Sequence, residues 1–393
     1  MRAVTRRLDG EVDLVEQAGD AGVVFERGRI GLAGRREAMR VPADAASVAR
    51  ALSAFDIDDE VGVPGCGPVA FAAIPFDPDA KAEAIIPAEI WGRAEDGTRW
   101  HTVVEGAQAS SAAPDVARRA PTRFAVESAL ASSHYTDLVE RATKAMADGS
   151  MRKVVLAREV VVSADAPIDV TDVLGRLRST FPGCFVFHVD GFIGASPELL
   201  VARAGDVVRS HPMAGTAARG GDPTTDARLA ASLLSSAKER EEHQITIDMV
   251  HDTLLAFSSY VDYEAEPSIV PVANVQHLAT LVEGRLSHPP ASVLELARAL
   301  HPTPAVCGQP RDEALAFIRA EEGFDRGRYA GTVGWVDARG NGTWAVSVRV
   351  AELDGRTARL YAGCGIVPDS EPAVELAETR VKLQALLSAL IRP

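Results

Sequence analysis

Cysteine is scarce in this sequence. Four residues in 393, Cys66, Cys184, Cys307 and Cys364, stand far apart and form no C-x-x-C pair. That pattern argues against a thiolate metal cluster or a disulfide framework, and it fits a reducing, cytoplasmic setting. Positive charge is also short: 41 Lys and Arg face 55 Asp and Glu, for a net charge of -14. A chain this acidic is not expected to coat nucleic acid, and an anionic substrate would need a local basic pocket. No apolar run approaches the roughly 18 residues of a membrane span. The N-terminal M-R-A-V-T-R-R-L-D-G lacks the apolar stretch of a secretory signal. There is no G-x-G-x-x-G or P-loop, no H-E-x-x-H and no G-x-S-x-G, so dinucleotide binding, a zinc-protease site and an esterase elbow have no support.

What remains is an ordinary globular composition, 47% hydrophobic and 24% charged, with material for a large core. Residues 1–393 are expected to form one domain. Within it, 1–115 is a less motif-rich part packed on a catalytic core at 120–393, and the small, polar stretch 106–115 reads as a connector. Residues 123–147 have apolar positions near helical spacing. K-V-V-L-A-R-E-V-V-V (153–162) reads as a strand, and 169–179 as a short helix. Asp190-Gly191 and Gly205-Asp206 mark hairpins. Residues 224–259 read as one long helix, 329–353 as two strands around 339–342, 356–367 as a strand and 373–391 as a helix. Hairpins outnumber strand–helix–strand units. The expected fold class is therefore α+β, with large, mostly antiparallel sheets covered by helices.

Two of these helices carry glutamates at an i, i+3 spacing: Glu239 and Glu242 in A-K-E-R-E-E-H, and Glu375 and Glu378 in E-L-A-E-T-R-V-K. Residues three apart share a helix face. Two such faces turned toward each other would converge four carboxylates, whose repulsion a hard cation such as Mg2+ relieves. Lys382 follows Glu378 by one turn and would meet part of the remaining charge. Taken alone, either pair is an ordinary solvated helix face.

Other residues gain meaning only in company. Lys153 opens a strand; aimed into a pocket it would serve as a general base. Glu198, in G-A-S-P-E-L-L, sits between apolar strands, where burial would make it a general acid. Gly215 and Thr216 offer close backbone approach and a hydroxyl. Gly363 and Gly365 could present N–H groups to a carboxylate. Arg349, alternating with apolar neighbours, could fork onto a carboxylate. His277 and His301 are lone histidines, of a kind more often structural than catalytic.

In order along the chain, K-V-V-L-A-R, G-A-S-P-E-L-L, M-A-G-T-A, A-K-E-R-E-E-H, Q-H-L, H-P-T-P-A-V-C-G-Q-P, G-T-V-G-W, V-R-V, A-G-C-G-I-V and E-T-R-V-K-L form a set. This set resembles the chorismate-utilising enzymes, which include isochorismate synthase, salicylate synthase and the large subunits of anthranilate and aminodeoxychorismate synthases. The motifs span about 150–385, and A-I-P-F-D-P (73–78) is similar to the family's N-terminal half. Lys at the start of K-V-V-L is what the water-adding members carry. The resemblance therefore implies that Lys153 activates water for attack on C2 of chorismate, and that Glu198 protonates the departing C4 hydroxyl. It implies Mg2+ held chiefly by Glu242 and Glu378, with Glu239 and Glu375 behind them. Arg349, Lys382, Gly363 and Gly365 would hold the substrate's carboxylates, with Gly215, Thr216, His277, Ala305 and Tyr329 around it. Ala305 and Val306 look like the isochorismate synthases. Tyr329 looks more like the salicylate-forming branch, which also eliminates pyruvate, and that activity stands as the alternative. A non-catalytic chorismate-binding protein is the alternative of another class. No L-L-E-S element of tryptophan feedback is seen. No glutaminase partner is implied, since water needs no ammonia channel, and a monomer is the default expectation.

Overall fold

The computed structural model describes residues 1–107, 119–147, 149–272 and 275–391. Most of the connector expected at 106–115 lies outside them.

Hairpins build the molecule. At the turn between Phe185–Val189 and Phe192–Ser196, Asp190 and Gly191 both take positive φ, 52° and 75°. That geometry matches the twist of the two strands and suits Asp-Gly. Pairings then run without a break through two large branches. One passes from the N-terminal strand Arg2–Arg7 through Arg99–Glu105, Glu83–Arg93, Ile30–Pro42 and Val23–Arg27 to Phe185–Val189. It continues through Phe192–Ser196, Val350–Asp354 and Thr357–Ile366 to Lys153–Ala164. The other leaves Glu83–Arg93 through Val69–Ile74, which pairs with Thr332–Asp337, and then takes in Gly342–Val346 and the Gly205 hairpin. All these pairings are antiparallel, and Arg2–Arg7 also pairs in parallel with Asp56–Asp59. A separate three-stranded sheet joins Met213–Ala218, Val275–Ala279 and Ser268–Val272. The α+β arrangement expected from the hairpins is the one found. Strands from residues 2–105 pair directly with strands from beyond 120.

One apolar core includes Phe71, Leu156, Phe187, Val201, Val333 and Trp344, all essentially without exposure. A second lies where helices Val170–Thr180 and Pro372–Ile391 cover a sheet face, through Leu174, Leu177, Ile193, Leu386 and Leu390. A buried leucine is worth about 1.5–3 kcal/mol relative to an exposed one, so these helices are fixed by their apolar faces.

Three expectations are corrected. Residues 123–147 are not all helix: Phe124–Ser128 is a strand paired with Val160–Ala164, and the helix runs from Ser132 to Met146. Pairing with a neighbouring strand overrides the local apolar spacing there. The long helix at 224–259 is two helices, Pro223–Ser235 and Ala237–Leu255, followed by the strand Ser258–Tyr263. Ser236 is extended (φ -72°, ψ 111°), and its hydroxyl accepts the Glu239 N–H at 3.3 Å. A serine that caps a helix N-terminus in this way restarts the helix in a new direction. Finally, the run through V-S-V-R-V is not one strand. Gly342–Val346 and Val350–Asp354 are separate, and Arg349 stands between them in a left-handed conformation (φ 55°).

Candidate active site

Lys153 is the first residue of its strand and only 7% exposed. It lies between two neighbours that come close. Gln309 is its partner on one side. On the other, Gly365 pairs with Val155, and a Cβ on Gly365 would come within 2.8 Å of Lys153 Cε. The lack of a side chain at Gly365 leaves the lysine room to reach the carboxylate of Glu242, with which it forms an ion pair.

Glu242 and Glu239 project from the start of helix Ala237–Leu255; Glu375 and Glu378 project from the start of helix Pro372–Ile391. All four line one cavity of about 230 Å³. They do not form a single bare cluster, because three of them take a nearby partner. Glu242 pairs with Lys153, Glu378 pairs with Lys382 Nζ at 2.8 Å, and Glu375 accepts from the Ser370 hydroxyl at 2.8 Å. Burial raises the Glu239 carboxyl above its usual range, and Glu242 adds to the rise. Glu375 is raised by burial too, with a further push from Glu378. Burial also acts against ionisation of Glu378, but the Lys382 charge and the hydrogen bonds from Lys382 and Cys364 together outweigh it and leave this carboxyl lowered. The resulting local excess of negative charge, on hard oxygen donors, suits a divalent cation. The Cys364 sulfur lies within 4.8 Å of ligand oxygens of Glu375 and Glu378. Burial pushes this thiol up to about 12, so it stays protonated and the carboxylates are the effective donors.

Glu198 is 6% exposed, in the turn after Pro197. The Met213 N–H donates to its Oε1 at 3.3 Å. Burial pushes its carboxyl up to about 7, against the smaller opposing pulls of that hydrogen bond, Lys153 and Arg349. Glu198 lines the same cavity as Lys153, and a carboxyl raised in this way can hold a proton near neutrality.

The cations sit across the cavity wall. Lys382 donates to the Gly363 carbonyl at 2.8 Å, and Arg349 donates to His277 Nε2 at 3.0 Å. Gly215, at φ 76°, occupies a bulge opposite His277; a Cβ there would sit 2.9 Å from Glu239 Oε2. Thr216, Ala305, Val306 and Tyr329 complete this wall. The Tyr329 ring stacks on Tyr361 with centroids 5.2 Å apart, and a Cβ on Gly363 would lie 3.0 Å from its hydroxyl.

Every residue singled out from the sequence for this chemistry thus lines the one cavity. Glu242, expected as a chief metal ligand, also faces Lys153. His301, by contrast, points away: its Nε2 bonds the Phe76 carbonyl at 2.9 Å. Lys238, Ser370 and Cys364 also belong to the site, and the sequence reading passed over them. Lys238 stands directly before Glu239, and that adjacency was the available signal. Ser370 lies in an irregular segment and carried none.

Comparison with known proteins places this geometry. A family model described as chorismate binding enzyme matches residues 32–391. Isochorismate synthase DhbC of Bacillus subtilis (strain 168) is 36% identical over 334 residues, covering 82% of this chain and 81% of that protein. Isochorismate synthase EntC of Escherichia coli (strain K12) is 35% identical over 326 residues, again covering 82% and 81%. The solved structure of MenF, the menaquinone-specific isochorismate synthase from Escherichia coli, matches with a TM-score of 0.82 at 25% identity, covering 100% of this chain and 94% of that one. The cavity, the sheets around it and these similarities make the chain a member of the chorismate-binding enzyme family.

Proposed function

We propose that the chain is an isochorismate synthase, converting chorismate to isochorismate with Mg2+. The observation that carries this is that Lys153 and the buried carboxyl of Glu198 line one cavity whose cations suit a dicarboxylate. The similarity to DhbC, EntC and MenF supports the same reading over its alternatives.

The reaction moves a hydroxyl from C4 to C2 by net exchange of water. Water is a weak nucleophile and hydroxide a poor leaving group, so a base and an acid are both required. Lys153 takes the proton of the water that bonds to C2. The ring double bonds shift, and the C4–O bond breaks as Glu198 delivers its proton to the departing oxygen, which leaves as water. Contact with Glu242 fixes where Lys153 Nζ sits. Arg349 and Lys382 receive the substrate's carboxylates, helped by the backbone around Gly363 and Gly365. Mg2+, held by Glu242 and Glu378 with Glu239 and Glu375 behind them, would supply charge neutralisation at the ring carboxylate. The enzyme works as a cytoplasmic monomer on a diffusible substrate, with no glutaminase subunit, and its product serves menaquinone or siderophore synthesis. Among the described residues no helix is long and apolar enough to cross a membrane.

The test is to incubate the protein with chorismate, with Mg2+ and with EDTA, and to separate the products. Isochorismate that forms only with the metal, without salicylate or pyruvate, is the expected result. Salicylate with equimolar pyruvate would show that Tyr329 marks a salicylate synthase. No turnover with metal present would point to a binding protein.

A pH dependence follows from Glu198. Its carboxyl rises on folding from 4.5 to about 7, so the protein binds that proton more tightly when folded. Its stabilising contribution is complete below the unfolded value and is lost as pH rises through about 7. Denaturation at a series of pH values is therefore expected to show wild type losing stability across this window relative to Glu198→Gln. As the acid must be protonated, kcat/KM of wild type falls over the same rise. Parallel stability curves for wild type and variant would refute the assignment.

A further inference from the structure

Arg349 is held in a way that costs the fold something. A non-glycine residue at φ 55° carries backbone strain, and such residues persist where their surroundings fix them. Here the fixing is specific. The Arg349 carbonyl accepts the Ala195 N–H at 3.1 Å. The backbone at Gly194 lies so close that a Cβ there would come 2.9 Å from that carbonyl. Arg349 stands at the kink between the two strands, and its side chain lies on the cavity wall. Among the described residues no carboxylate forms an ion pair with it. One of its N–H groups is spent on His277, a residue of the separate three-stranded sheet.

The partners of His277 fix its protonation. Arg349 Nη2 can only donate, so Nε2, 3.0 Å away, must accept. The Gly215 carbonyl can only accept, so Nδ1, 3.2 Å away, must carry the proton, with Thr216 Oγ1 also near at 3.1 Å. The bulge at Gly215, opposite the Thr216–His277 pair, turns the carbonyl toward the ring.

We infer that His277 is a positioning residue, a tautomer-locked acceptor that braces the Arg349 guanidinium toward a substrate carboxylate and exchanges no proton with the substrate. This rests on reading the cavity as a dicarboxylate site. Burial, with the Arg349 and Lys382 charges, pushes the imidazole down to about 3, consistent with a neutral ring. The small sheet then has a role: it delivers the brace.

The first test needs no substrate. In protein labelled with 15N-histidine, the His277 signals at neutral pH are expected to show Nδ1 protonated and Nε2 bare; the reverse tautomer would overturn the inference. Because this readout is independent of turnover, it stands even if the chain proves not to act on chorismate. The second test is kinetic. His277→Ala is expected to raise KM for chorismate about 10- to 100-fold, the worth of a hydrogen bond to a charged group. It should change kcat less than about 3-fold, because the lost contact serves binding before and during the reaction alike. His277→Gln, whose amide oxygen can replace Nε2, should recover most of the loss. His277→Lys, a donor only, should not. Equal effects of Gln and Lys, or a large fall in kcat at unchanged KM, would overturn the inference.

Discussion

Lys153→Met is expected to lower kcat by about 10²–10⁴-fold, the range over which a positioned general base contributes. Methionine keeps the length and apolar stem of lysine and removes the amine alone. The side chain occupies the first position of a long central strand, with Gln309 on one side and Gly365 near its tip, so the strand register has no reason to move. The variant should keep the wild-type near-ultraviolet circular dichroism and should still bind chorismate. Glu198→Gln is expected to give a comparable fall, since an amide cannot protonate the leaving hydroxyl. The double variant should lose little beyond the worse single one, because acid and base act in the same step and such effects do not add. If Lys153→Met turned over at a wild-type rate, water would have to be activated elsewhere, and the proposed mechanism would fail.

Glu322→Ala is expected to cost about 3–5 kcal/mol of folding stability, the usual effect of leaving a buried charge without its partner. Glu322 is 1% exposed and Arg326 3%. The carboxylate takes two Arg326 hydrogen bonds at 2.6 Å and the Ala157 N–H at 2.7 Å. Arg326 in turn donates to the Val155 carbonyl at 2.6 Å and the Val306 carbonyl at 3.0 Å, and lies 4.2 Å from the centroid of the Phe76 ring. Alanine would leave the guanidinium buried among apolar groups. Urea unfolding should show a lower midpoint with an unchanged slope. Replacing both members of the pair with apolar residues of similar size should recover much of the loss, because it removes the unpaired charge. A change below about 1 kcal/mol in Glu322→Ala would mean that water reaches Arg326. The same network ties Val155 and Val306, both on the cavity wall, so Glu322→Ala should also impair catalysis in the fraction that remains folded.

The sequence disclosed what local chemistry writes. Asp190-Gly191 announced a hairpin because few other pairs tolerate two positive φ values, and K-V-V-L-A-R-E-V-V-V announced a strand because β-branched residues favour one. The two glutamate pairs were visible as helix faces. What stayed hidden was whatever depends on a distant partner. Nothing in A-S-L-L-S-S-A-K distinguishes a serine that ends one helix and caps another from a serine within a single helix. Nothing in V-S-V-R-V shows that Gly194 will press on Arg349 and bend the strand. The Glu242–Lys153 pair joins residues from a helix and a strand far apart in the chain. Much of 1–105 was also hard to read: Val69–Ile74 is buried on both faces, and its uniform apolar run lacks the alternation that marks a half-exposed strand.

The pairing of Val69–Ile74 with Thr332–Asp337 has a kinetic side. These strands lie far apart in the sequence. Closing such a long loop costs entropy before any contact returns it, so a fold built on pairings of this kind has a high contact order and forms slowly. Until those strands zip together, Phe71 and Trp335 are left uncovered along unpaired edges. The interval before closure is when a newly made chain is most exposed to aggregation, and lengthening it by weakening this one pairing would lower the yield of folded enzyme without altering any residue of the cavity.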